Sequence, residues 1–196
     1  MKKIFIIALL SFFGMTQAQV TFKPGIRAGV NFSHFTKGDD YDGFSGGSTT
    51  GNSYDYSAKT DLYVGLYGAL HLTKYYTLQP EIDYSRQGTV FNANNGSGDV
   101  DLNVSYLSVA IANKFTFTDK FNVHLGPTVD FVVENNFNNE SDIDFAFFLG
   151  AGYNFTKNFG IEARVKKGII PVLDDYNDYH TNVVFSVGAT YTFDLK

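Results

Sequence analysis

Hydrolytic catalysis needs a nucleophile and a base within hydrogen-bond reach, and a metal site needs converging His, Cys, Asp or Glu side chains. The chain has four histidines and no cysteine. A disulfide scaffold and a thiolate metal site are therefore excluded. His34 and His180 lie in polar stretches that also carry Ser33, Asp39, Asp40, Asp42, Asp174, Asp175 and Asp178. His34, His180, Asp174 and Asp175 thus make a candidate site for a metal or an activated hydroxyl. Their spacing matches no metal or hydrolase motif, and two histidines among solvated acids is the plainer reading. Asp39-Asp40-Tyr41-Asp42 and Asp174-Asp175-Tyr176-Asn177-Asp178 offer hard oxygens to Ca²⁺ or Mg²⁺. Neither has the glycine and glutamate that an EF-hand loop requires at its sixth and twelfth positions. Solvated loop acid accounts for both. No catalytic residue, metal or cofactor is assigned.

The elements that would carry these residues alternate apolar and polar positions, the signature of strands with two different faces. Eight blocks repeat it. Ile26, Ala28, Val30 and Phe32 oppose Arg27, Gly29, Asn31 and Ser33; Leu62, Val64 and Leu66 oppose Asp61, Tyr63, Gly65 and Tyr67. Tyr76, Leu78, Ile82 and Tyr84 oppose Thr77, Gln79, Glu81 and Asp83. The same holds from Leu107 to Phe117, Phe121 to Val133, Phe145 to Phe155, Phe159 to Lys166 and Asn182 to Phe193. Blocks of roughly 9–14 residues suit tilted membrane strands. Pro80 and Pro127 stand against this pattern, since each removes a ladder donor. A bulge or a locally unpaired position is expected at Pro127.

Connections alternate in length. Thr73-Lys74-Tyr75, Thr118-Asp119-Lys120 and Thr156-Lys157-Asn158 are tight, whereas 37–58, 88–103, 135–142 and 168–181 are long and polar. Tight turns at one end and long loops at the other are the outer-membrane arrangement, with the turns periplasmic. Aromatics on the apolar face gather near the turns (Tyr76, Phe115, Phe117, Phe121, Phe155, Phe159, Tyr191, Phe193) and near the loops (Phe32, Tyr84, Phe131, Phe145). Two aromatic bands around an aliphatic middle match membrane girdles. A soluble lipocalin-like barrel would put its apolar face inside. The fold expected is all-β: an eight-stranded antiparallel up-and-down transmembrane barrel.

The polar face would then line a narrow lumen. Arg27, Glu81, Asp83, Lys114, Asp130, Glu162 and Arg164 are its charges. Strands three and seven face each other across an eight-stranded barrel and Arg164 lies at a depth comparable to Glu81 and Asp83, so these groups should pair or share ordered water. An unpaired charge in so narrow a space is costly, and the charges are expected to plug the lumen. His71 and His124 read as lumen hydrogen-bonders.

Met1-Lys2-Lys3, the apolar run Ile4–Phe13 and Thr16-Gln17-Ala18 are in the order of a signal peptide. Residues 1–18 are expected to be removed, leaving 19–196 as a single domain. Without Lys2 and Lys3 the basic count falls from 15 to 13 against 20 acidic residues, a formal charge of −7. Phosphate backbones would be repelled, so no nucleic-acid partner is expected.

The segments "LNVSYLSVAIANKF", "FNVHLGPTVDF", "FFLGAGYNF" and "FGIEARVKKG" resemble the PorT-like outer-membrane β-barrels of Bacteroidota, which are small OmpA-like eight-stranded barrels. The resemblance spans Gly25 to Phe193. It implies an integral outer-membrane protein, and the family's namesake is linked to protein secretion. The chain departs from many such barrels in ending Phe193-Asp194-Leu195-Lys196 rather than on an aromatic. Three functions remain open. One is a non-enzymatic structural barrel, or one that binds a partner through its outer loops. The second is a small lipid-modifying or hydrolytic enzyme using the His34/His180 rim, and the third is a narrow channel. The first is favoured because no catalytic motif appears. Outer-membrane lipid and another cell-envelope protein are the expected partners, and a monomer is the favoured state. Tyr41, Phe44, Tyr54, Tyr56, Phe91, Phe137, Tyr176 and Tyr179 are the loop aromatics that could anchor a partner.

Overall fold

The computed structural model of the chain describes residues 20–35, 55–92, 100–136, 141–169, 173–175, 178–180 and 182–194. The strands are β1 (Thr21–Phe35), β2 (Asp55–His71), β3 (Tyr76–Asn92), β4 (Val100–Thr116), β5 (Phe121–Asn135), β6 (Ile143–Asn154), β7 (Phe159–Gly168), β8 (Leu173–Asp175), β9 (Asp178–His180) and β10 (Asn182–Thr192). Eight of them close an antiparallel barrel in the order β1-β10-β7-β6-β5-β4-β3-β2. Closure satisfies every edge, as a sheet in hydrocarbon must. The seam runs from Gly25↔Thr192 to Phe35↔Asn182.

The barrel is inside-out relative to a water-soluble domain. Outward positions carry exposed apolar side chains, among them Leu62, Leu66, Val109, Ile111, Phe147 and Leu149. Inward positions carry buried polar ones, among them Asn31, Gln79, Glu81, Asp130 and Glu162. The period-2 pattern sets which residues share a face, and a one-residue register slip would invert every strand. Aromatic rings band the turn end on the outer surface. Phe155 stacks on Phe159 at 6.0 Å, and Tyr191 meets Phe193 edge-on at 5.2 Å. Tyr76 in this band donates to Asn113 Oδ1 at 2.7 Å.

Strands β2, β3 and β4 each run 17 residues, longer than the blocks expected. At about 3.3 Å per residue each reaches about 56 Å, more than a tilted crossing of a ~30 Å core requires. The sheet therefore continues beyond the membrane on the loop side. A second departure lies in the connection after β7, read as a loop from the sequence. It contains the β8–β9 hairpin, with Leu173↔His180 and Asp175↔Asp178 paired.

Both prolines disturb one ladder only. The β4–β5 pairing passes from Ala110↔Thr128 to Asn113↔Leu125 without a register change, skipping Pro127. On its other side Pro127 pairs with Phe147. Pro80 behaves alike. The β2–β3 ladder steps from Tyr67↔Glu81 to Leu70↔Leu78, while Pro80 pairs with Ile111. A missing N–H leaves a local gap, not a bulge. The register shifts lie elsewhere, between Ala58 and Tyr63 on β2 and between Ser105 and Tyr106 on β4.

Candidate functional site

The densest chemistry among the described residues sits mid-lumen. Arg27 projects inward from β1, Glu81 and Asp83 from β3, and Glu162 and Arg164 from β7; all five are buried. Arg27 donates from Nε to Glu162 Oε1 at 2.8 Å and from Nη1 to Glu81 Oε2 at 2.9 Å and Asp83 Oδ2 at 2.7 Å. Arg164 grips Glu81 with both ends of its fork, at 2.6 and 2.8 Å, and reaches Glu162 Oε2 at 3.2 Å. The planar guanidinium serves two carboxylates at once, as a lysine could not.

Two guanidiniums face three carboxylates, so the five groups carry a formal excess of one negative charge. The nearest further cation is Lys114, which does not touch a carboxylate. It donates to Gln79 Oε1 at 3.3 Å, and Gln79 Nε2 donates to Glu81 Oε1 at 2.8 Å. Aromatic faces close the sides. The Arg27 guanidinium lies 4.8 Å from the Tyr63 ring centre, and that of Arg164 lies 4.7 Å from the Phe148 ring centre. Backbone must come close for groups this bulky to fit. A Cβ on Gly65 would lie 1.7 Å from Asp83 Oδ1, and one on Gly150 would lie 2.5 Å from His124 Nε2.

Asp130, grouped with these charges in the sequence, belongs to a separate pair nearer the loops. It accepts from Lys166 and from Thr128 Oγ1. The Lys166 ammonium lies 5.6 Å from the Tyr106 ring centre. Lys166 on β7 was legible as inward, but its partner depends on register and shear, which the sequence does not print. Beyond this pair, Asn31 joins Ser85 and Ser186 at 2.9 and 2.7 Å, and Asn182 donates to Gln87. Tyr63, Tyr106, Phe148 and Val184 are also buried inside. Tyr63 belongs to the polar face of the alternation, whereas Tyr106, Phe148 and Val184 were not assigned to the lumen because apolar and aromatic residues on a mostly polar face break the alternation.

Between the two charge stations lies a cavity of about 50 Å³ lined by Tyr63, Asp83, Ser108, Arg164 and Lys166. It has room for a few waters. Among its lining residues, the buried Tyr63 OH, Asp83 Oδ1 and Ser108 Oγ have no protein hydrogen-bond partner. The two lumen histidines are hydrogen-bonded, His71 at the turn end through Nδ1 with Thr77 Oγ1 at 2.8 Å and His124 through Nδ1 with Asn122 Oδ1 at 3.2 Å. His124 Nε2 stands 4.0 Å from Glu162 Oε2.

At the rim, the structure places His34 opposite Val183 in the seam, and Asp174, Asp175 and His180 in the β8–β9 hairpin. The side chains of these four lie outside the described residues, as do those of Tyr41, Phe44, Tyr54, Tyr56, Phe91, Phe137, Tyr176 and Tyr179 and the acids Asp39, Asp40, Asp42 and Asp178. Among the described residues no group of three or more His, Asp or Glu is arranged to hold a metal.

The family model of the outer membrane protein beta-barrel domain matches residues 17–174. No curated protein matches the chain. Among solved structures, Neisserial surface protein A is 12% identical with a TM-score of 0.54, covering 87% of this chain and 97% of its own. The attachment invasion locus protein Ail of Yersinia pestis, solved with the heparin analogue sucrose octasulfate, is 16% identical with a TM-score of 0.50, covering 88% of this chain and 99% of its own. OprG of Pseudomonas aeruginosa is 13% identical with a TM-score of 0.49, covering 91% and 99%. At these identities the likeness to the first two is one of fold.

Proposed function

Because the chain belongs to the outer membrane protein beta-barrel domain family and is an integral barrel of the bacterial outer membrane, we propose that it works without catalysis, as a sealed scaffold that presents its long loops to a cell-envelope partner. The carrying observation is the mid-lumen cluster of Arg27, Glu81, Asp83, Glu162 and Arg164. Each of its carboxylates is paired with at least one guanidinium, which ties β1, β3 and β7 together across the lumen. On this reading the same cluster also closes the lumen against a channel, and the partner-facing surface is the loop end, where the longer connections gather. The small outer-membrane barrels of this family are generally non-enzymatic, in keeping with this reading.

A finer assignment forms part of the proposal. The segments around Leu102–Phe115 and Phe159–Gly168 support a PorT-like barrel of Bacteroidota with a link to protein secretion, and residues 1–18 are its removable signal peptide. Photocrosslinkers placed at Asn136 and Asp142, at the loop end, should give discrete protein adducts on intact cells. The same group at Lys74 or Asp119, at the turn end, should not. Equal adduct patterns from both ends would overturn the reading.

A further inference from the structure

The turn end of the lumen opens into a cavity of about 460 Å³, on the far side of the charge cluster from the loops. This falls in the volume range of small-molecule sites. Its wall is cationic. Lys23, Lys114, Lys120 and Lys157 line it, and Asp119 is the one carboxylate among the lining residues. Lys23 is neutralised by Asp194 at 2.6 Å. Lys114, Lys120 and Lys157 have no carboxylate within ion-pair distance among the described residues, whereas the deeper lumen cations, Arg27, Arg164 and Lys166, are all paired.

Lys114 forms the floor. Its single hydrogen bond, 3.3 Å to Gln79, leaves the ammonium with donors to spare. The hydroxyls of Thr116 and Thr190 add neutral donors around it. Low-dielectric walls concentrate such a field, so the cavity favours anions over cations. Lysine ammoniums spread over several sides suit a group with oxygens pointing in several directions, which a phosphate has and a single carboxylate lacks.

We propose that this vestibule is a binding site for a phosphate-type oxyanion, with Lys114 beneath it and Lys120 and Lys157 at its sides. The oxyanion is carried either by a small solute or by a lipid headgroup; the chemistry of recognition is the same.

The test is calorimetric titration of inorganic pyrophosphate into the full barrel in phosphatidylcholine nanodiscs. Saturable binding near one per barrel is expected. Lys114→Gln and Lys120→Gln should each weaken it by about tenfold or more, the scale of one charge-assisted hydrogen bond. Lys59→Gln, at the loop end and paired with Asp101 at 3.4 Å, should leave it unchanged. Lys120 is exposed on a turn, so its variant reports even where Lys114→Gln fails to fold. Nanodiscs containing phosphatidylglycerol separate the two sources. Loss of pyrophosphate binding there assigns the site to a headgroup, and retention assigns it to a solute. Absence of saturable binding in phosphatidylcholine, or binding that Lys120→Gln leaves intact, would overturn the site.

Discussion

Arg164 and Glu81 allow the closed lumen to be weighed. Arg164→Met removes three charge-assisted hydrogen bonds, of 2.6, 2.8 and 3.2 Å. It leaves Glu81, Asp83 and Glu162 facing Arg27 alone, with Lys114 held off by Gln79. An uncompensated buried charge costs about 3–5 kcal/mol. Glu81→Met is milder. It removes the three guanidinium bonds and the Gln79 bond that Glu81 accepts, but Arg27 keeps Asp83 and Glu162, Arg164 keeps Glu162, and two cations then face two carboxylates, so the loss is about 1.5–3 kcal/mol. The double variant replaces the pair by apolar side chains of similar length and removes the excess carboxylate that Arg164→Met alone leaves behind. Its loss should fall short of the sum by about 1–3 kcal/mol. Equilibrium urea unfolding in phosphatidylcholine vesicles, read by the altered gel mobility of folded barrel, gives all four values; the chain has no tryptophan to report instead. Losses that add to within about 0.5 kcal/mol would show that the two groups do not interact, and the reasoning would fail.

Val109 is exposed on the lipid face of β4. Val109→Arg should cost about 2–4 kcal/mol at the bilayer midplane, and Asn154→Ala, near a turn, much less; unchanged stability of Val109→Arg in the same urea assay would reverse the facing of β4. At the exposed end of the seam, hydrogen bonds from Lys23 and Asn158, with the charge of Lys23, hold the Asp194 carboxyl below its usual range. A lowered folded value means that the tie to β1 is present above the unfolded pKa, near 4, and is lost as pH falls through the folded value. A carboxyl NMR titration should show Asp194 protonating later than a free aspartate on acidification, and Lys23→Ala should move it back toward the ordinary value, with Asn158 still holding part of the lowering; an ordinary value in the unaltered chain would refute the tie.

The strands and their facing were readable because period 2 is a local property. Ile26, Ala28, Val30 and Phe32 need no partner to declare their side. The pairing of Arg164 with Glu81 was readable for a coarser reason, since strands three and seven of eight must oppose each other and the depths of the two residues match. Asp130 was legible as a lumen charge but its partner, Lys166, was not, because that pairing is set by stagger between non-adjacent strands, and tilt and shear belong to the closed barrel, not to any segment. Phe148 and Tyr106 escaped notice for the opposite reason: each is an aromatic on the polar face, legible only once Arg164 and Lys166 are seen against their rings. The β8–β9 hairpin is built from Leu173, Asp174 and Asp175 against Asp178, Tyr179 and His180, a stretch too acidic and too short to show alternation.

The central claim is that this outer-membrane barrel is shut by its own charges. Planar-bilayer recording of the purified chain tests it most directly. The account predicts no steady conductance for the unaltered protein, and current only where the cluster is broken, as in Arg164→Ala. A steady conductance in the unaltered protein that Arg164→Ala leaves unchanged would contradict it.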